Sequence, residues 1–323
     1  MPFRAREFCH FFPCFGKTPV AQAPCIAGKR KVDRAESALL SNLASLRRKA
    51  PKTNMRWAKF AAIVSLWAFF FALIVFVHLW ISLLKLPKRW LIISRVTYSF
   101  TFLLRTILNL KIKVDGHLEP MLAQGTVIIS NHLSYVDGLV LGSIFPAVFV
   151  SKREVRKWPV IGLWAAICGT IFIDRQRKNR IHSLVLEMSR RLNQGTNILL
   201  FPEGRATNGE RILPFQTAPF AAPLRNRSVI VPITLRYTRV NDQPVSKENR
   251  DLIYCYDDMD FVPHFWGLLS LREVEVVVTI RHKIDCSRYD DNSAGRRQLA
   301  LDCYRRVAGE VIECAKNEPR RWP

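Results

Sequence analysis

Residues 126–137 read Thr-Val-Ile-Ile-Ser-Asn-His-Leu-Ser-Tyr-Val-Asp. The first five form a short apolar, β-branched run, the pattern of a buried strand. The run stops at Asn131-His132, and a helical stretch is expected over 137–144. A strand that ends in polar residues before a helix is the unit of an α/β sheet, whose sites gather at strand ends. Outward from this stretch the alternation repeats. AVFVS (147–151), TIFID (170–174), NILLF (197–201) and VIVPITLRY (229–237) are expected strands, separated by expected helices over 153–168, 178–194 and 215–225. VEVVVTIRHKI (274–284) is a further strand, and 293–316 reads as an amphipathic closing helix. The expected fold class is α/β, a mixed sheet flanked by helices over residues 111–323, with a transmembrane helix N-terminal to it.

That helix is read from FAAIVSLWAFFFALIVFVHLWISLL (60–84), which holds no Asp, Glu, Lys or Arg. Twenty-five residues reach roughly 37 Å, enough for a hydrocarbon core of about 30 Å. Trp57 and Trp80 stand near its ends, as interfacial anchors do. A signal peptide fits poorly, because the run starts late and lacks a small-residue cleavage site. Basic residues flank both ends, so the positive-inside rule does not orient it. Residues 90–110 are apolar but interrupted by Arg95 and Arg105, and are expected to form a helix lying in the interface. Together residues 55–110 are the expected membrane anchor. Residues 1–54 read as a basic tail, and Met55 is a candidate second start, which recovery of peptides from 1–54 would exclude.

The chain has 323 residues, with Lys+Arg 49 against Asp+Glu 26, a net charge of +23, and 49% hydrophobic residues. That is too apolar for a disordered chain, and the charge calls for an anionic partner. Membrane lipid is the expected partner. Nucleic acid is not, since no basic recognition helix or aromatic RNA-reading motif is present. The eight cysteines form no C-x-x-C, so reduced packing thiols are expected and no metal. G-x-S-x-G and the P-loop pattern are both absent, which removes the common nucleophilic hydrolases and P-loop enzymes.

Four stretches carry candidate chemistry. In the first, His132 and Asp137 are five apart and would lie on different faces of one helix. They meet only if His132 stays in the loop while Asp137 enters the first helical turn. Asp137 would then bond one ring nitrogen and leave the other as a base near neutral pH. A helix cap beside a solvent-facing histidine is the plain alternative. The second is Gly169 through Arg175, a strand ending in cations that suit either a phosphate or a solvated helix start. The third, Phe201-Pro202-Glu203-Gly204-Arg205, breaks a strand in a charged turn that suits either an anion or nothing in particular. The fourth, Val231-Pro232-Ile233, puts proline in a strand and so predicts a bulge or an edge.

In this order the four pieces resemble the glycerolipid acyltransferase family, which includes the 1-acylglycerol-3-phosphate acyltransferases. Its signature N-H-x-x-x-x-D, G-x-x-F-I-D-R, F-P-E-G and V-P-I is matched at 131–137, 169–175, 201–204 and 231–233. The resemblance implies an O-acyltransferase that moves a fatty acyl group from acyl-CoA or acyl carrier protein to the free hydroxyl of 1-acylglycerol 3-phosphate, giving phosphatidate. No other cofactor is implied. His132 would be the general base and Asp137 its orienting partner, with no acyl-enzyme, so Ser134 is not a nucleophile. Asn131, Arg175, Phe201, Pro202, Glu203, Gly204 and Arg205 would line the acceptor site, and Lys152 would add a phosphate contact. The family often continues F-P-E-G-T-R and then F-K-x-G-x-F. Here Arg205 follows Gly204, Ala206 takes the usual arginine place, and Phe215-Gln216-Thr217-Ala218-Pro219-Phe220 lacks the lysine and glycine. These departures leave open another lysolipid acceptor, a lyso-aminolipid or lysophosphatidylcholine, and more distantly an inactive membrane scaffold. The resemblance places the chain in a bacterial inner membrane, its catalytic domain facing the cytoplasm.

Overall fold

The computed structural model describes residues 53–116, 124–158, 161–173 and 179–316, with side chains from 55 and, in the last segment, over 182–309. Nearly all of the expected N-terminal tail lies outside them. Helix α1 (Thr53–Leu83) is followed by α2 (Arg89–Leu108). Both are long and apolar enough to cross a membrane. Phe70 meets Phe100 and His78 meets Trp90, so the two run antiparallel as a hairpin. Helix α2 buries Trp90, Ile93, Thr97, Phe100, Thr101, Leu104 and Leu108, a stripe at helical spacing. The buried hydroxyls are satisfied inside the helix, Thr97 by the Ile93 carbonyl and Thr101 by that of Thr97.

The sheet is built from β1 (Leu110–Asp115), β2 (Val127–Ser130), β3 (Ala147–Lys152), β4 (Ile171–Ile173), β5 (Asn197–Leu200), β6 (Val229–Val240) and β8 (Val274–Ile280), with two-residue strands β7 (Gln243–Pro244) and β9 (Ile284–Asp285) on β6. Its order is β1-β8-β6-β2-β5-β3-β4. Strands β6, β2, β5, β3 and β4 run parallel, so their C-terminal ends share one edge. Strand β8 is antiparallel to β6 and parallel to β1, which makes the sheet mixed.

Alternation along the strands divides the core in two. Val127, Ile129, Ile198, Leu200 and Ile230 pack beneath α5 (Asn179–Asn193) and α8 (Ser293–Lys316), against Leu184, Met188, Leu299 and Cys303. Ile128, Leu199, Val231 and Ile233 face α2 and the short α3 (Val136–Gly142), against Phe100, Val136 and Val140. Cys168, Cys255, Cys286 and Cys303 are free thiols.

Three details differ from the sequence expectation. Strand β1 is unforeseen: its Lys111 and Lys113 point outward on an edge strand, which hides the apolar period. The helix expected over 153–168 is a 3-10 turn (Arg153–Lys157) and α4 (Ile161–Ile167), with Pro159 between them in sequence. That over 215–225 is a 3-10 turn (Ala218–Phe220) and one turn of α6 (Ala221–Arg225). Pro232 lies in the interior strand β6, where the antiparallel register slips by one residue between Ile233–Ile280 and Ile230–Ile284, so the expected bulge is present, with its extra residue on the partner side.

Candidate active site

Strand β2 delivers His132 into a loop at the shared C-terminal edge, and α3 begins at Val136, so Asp137 falls in its first turn. The turn closes the five-residue gap. His132 Nδ1 lies 2.8 Å from Asp137 Oδ2. The same oxygen accepts the N–H groups of Leu133 at 2.6 Å and Ser134 at 2.9 Å. Asp137 Oδ1 accepts the Tyr237 hydroxyl at 2.8 Å. The Asp137 side chain is fully buried, while that of His132 is 21% exposed. With Nδ1 engaged, Nε2 is the ring nitrogen left to face a substrate. Ser134 is buried and its hydroxyl accepts the Val136 N–H, which leaves it poorly placed as a nucleophile.

Two further segments lace the histidine turn in place. The loop after β5 stacks Phe201 on the imidazole, with centroids 4.2 Å apart and planes at 14°. Glu203 reaches back from it: Oε1 accepts the His132 backbone N–H at 2.7 Å, and Oε2 that of Leu213 at 2.7 Å. Thr207 N–H donates to the His132 carbonyl at 2.9 Å. Burial pushes the Glu203 carboxyl up to about 7 against the pull of these two N–H donors and of His132. Gly204 takes φ +85°, a left-handed turn that a side chain would strain. The second segment runs past Tyr254, and Cys255 N–H donates to the Leu133 carbonyl at 3.1 Å.

All but one of the expected site residues lie among the described residues. His132, Asp137, Phe201 and Glu203 come together. Pro202 is buried and its carbonyl accepts the Gln216 N–H. Asn131 is turned the other way: its amide accepts the Leu235 N–H at 2.8 Å and donates to the Leu235 carbonyl at 3.0 Å, extending the β2–β6 ladder by a side chain. Lys152 stands exposed at the C-terminal end of β3, on the same edge of the sheet. Arg205 is exposed and its Nη1 lies 3.9 Å from Asp257 Oδ1. Arg175 lies outside the described residues. Near the turn, the Tyr135 hydroxyl and His264 Nδ1 are 3.0 Å apart, with His264 on α7 (Phe261–Leu268).

Tyr237, Thr207, Leu213 and the segment ending at Asp257 were not among the expected site residues. Only Tyr237 carried a signal: it continues the alternation Val231, Ile233, Leu235 onto one face.

A buried carboxylate that orients an imidazole at a strand end is the apparatus of a general base. Comparison with known proteins gives that apparatus a family. The family model described as Acyltransferase matches residues 111–236. A lyso-ornithine lipid O-acyltransferase of Rhizobium meliloti (strain 1021) is 31% identical over 252 residues, 75% of this chain and 83% of that protein. A 1-acyl-sn-glycerol-3-phosphate acyltransferase of Neisseria gonorrhoeae is 25% identical over 179 residues, 55% of this chain and 68% of that protein. The crystal structure of the 1-acyl-sn-glycerophosphate acyltransferase of Thermotoga maritima shares the fold, with a TM-score of 0.51 and 16% identity over 82% of this chain and 99% of that one. The chain belongs to the glycerolipid acyltransferase family.

Proposed function

We propose that the protein moves an acyl group from a thioester of coenzyme A or acyl carrier protein to the hydroxyl of a lysolipid with an amino-acid head group, of the lyso-ornithine type. The observation that carries the chemistry is the His132–Asp137 pair, with Nδ1 bound to a buried carboxylate and Nε2 left for substrate. Nε2 takes the hydroxyl proton as the oxygen attacks the thioester carbonyl carbon. The C–O bond forms, the C–S bond breaks, and the proton passes from Nε2 to the leaving thiolate. Asp137 steadies the imidazolium in between. The N–H groups of Leu133 and Ser134 both serve Asp137, so the tetrahedral oxyanion takes its donors elsewhere.

Charge beside the histidine turn supports that head group. Arg205 and Asp257 face each other across two segments that both bond the histidine turn, and a head group with a carboxylate and an ammonium matches one of each. Four of the relatives, including the two matched over 83% and 90% of their lengths, carry the name lyso-ornithine lipid O-acyltransferase. The second reading is 1-acylglycerol 3-phosphate, favoured by the exposed Lys152 at the same sheet edge. On either reading the apolar hairpin holds the protein at the membrane, with the site on the cytoplasmic side where acyl thioesters are made.

Solubilised protein given acyl-CoA or acyl carrier protein with a lysolipid panel, read by mass spectrometry, separates the two. The expected product is the diacyl ornithine-type lipid. Phosphatidate alone would transfer the proposal to the second reading, and no product from a folded protein would end both.

A further inference from the structure

We infer that Tyr237 is a positioning residue of the acyl-transfer site, the third member of a Tyr237–Asp137–His132 chain that sets how strongly His132 holds a proton. The inference rests on the His132–Asp137 chemistry proposed above and does not depend on which lysolipid is acylated.

The geometry is one-sided. Asp137 Oδ2 takes three donors, His132 Nδ1 and the N–H groups of Leu133 and Ser134, whereas Oδ1 takes the Tyr237 hydroxyl. All of this happens at a fully buried carboxylate, where a hydrogen bond to charge is stronger than in water. Strand β6 is fastened to the histidine turn twice in three residues, by Asn131 at Leu235 and by Asp137 at Tyr237. Its register against β8 shifts between Tyr237 and Arg239, and such an irregularity re-aims a side chain. Burial, then the neighbouring Asp137 charge, hold the Tyr237 phenol well above its usual range, so it stays protonated and can only donate to that carboxylate.

The donor draws negative charge toward Oδ1 and away from the oxygen that faces the imidazole. Removing it makes Asp137 a stronger partner for the imidazolium, so His132 is protonated to a higher pH and the free base is scarcer. The other groups around the pair are Glu203 from the loop after β5, Tyr135 beside α3, and Tyr254, with Arg236 and Arg250 further out. A Tyr237→Phe change leaves all of them in place.

The test is the pH dependence of kcat/KM for acyl transfer, measured on the full chain in detergent. Tyr237→Phe is expected to lower kcat about tenfold at a fixed pH on the acid limb, leave the acceptor KM within about twofold, and move the acid limb to higher pH. Replacing Tyr237 by 3-fluorotyrosine, a more acidic phenol and stronger donor of nearly the same shape, is expected to move the acid limb the other way. A purely structural tyrosine gives no such opposite shifts. The inference is overturned if Tyr237→Phe keeps kcat within about twofold at that pH, or if the fluorinated protein, folded and active, shows an acid limb unmoved or displaced upward.

Discussion

Glu203 does most of its visible work on the protein itself. Its two oxygens tie the His132 backbone to the Leu213 backbone, so the third family motif is a brace for the first. Burial raises its pKa from the usual 4.5 to about 7. That displacement corresponds to roughly 3 kcal/mol. The native state holds a proton that the unfolded state has released, so stability declines as pH rises from about 4.5 through about 7. Glu203→Gln removes that titration. The stability of the wild type relative to Glu203→Gln should therefore fall by up to ~3 kcal/mol between pH 4.5 and 8, read as thermal midpoints of the detergent-solubilised proteins; a pH-independent difference would contradict the burial. Spacing left the His132–Asp137 contact open, since five residues put the two on different faces of one helix, and the family resemblance rather than the spacing pointed to it. Tyr237 was not legible as a partner, because it reaches Asp137 across 100 residues and only the β2–β6 pairing brings them together.

At the scale of elements, strands were read well wherever both faces are buried. The parallel β2 and β5 show four buried residues in a row. Edge strand β1 and the proline-split helices were misjudged because a lysine on an open face, or a 3-10 turn, leaves no apolar period to count. The glycine that opens the second motif has a mechanical reason. Gly169 sits at φ +83°, and a Cβ there would lie 2.5 Å from the Trp90 ring. Arg191 caps the same spot, its guanidinium 4.0 Å over Trp90 and its Nη1 on the Gly169 carbonyl. This clamp docks α2 onto the start of β4. Gly169→Ala should lower stability by about 1–3 kcal/mol through φ strain and the Trp90 clash. Adding Trp90→Leu should recover part of the loss. Thermal unfolding of the two variants checks both, and an unchanged midpoint in Gly169→Ala would refute the clamp.

At the scale of the molecule, the apolar hairpin is bound to the domain along its length. Near one end of α1, Lys59 Nζ donates to the Leu271 carbonyl at 2.7 Å and Trp57 packs on Trp266. Nineteen residues on, roughly 28 Å along a helix, His78 Nε2 lies 2.8 Å from the Ile167 carbonyl. Both contacts belong to one folded unit, so α1 is held against the domain that carries the site at these two points.

The most direct measurement is the rate of acyl transfer from a thioester to the accepted lysolipid by purified wild-type protein and by His132→Ala, each shown to be folded, with the intact protein mass recorded during turnover. The wild type should form the diacyl product without any acylated protein, and His132→Ala should be slower by at least about 10². A His132→Ala protein that turns over at the wild-type rate, or an acyl group found on the protein during turnover, would contradict direct transfer by a histidine base.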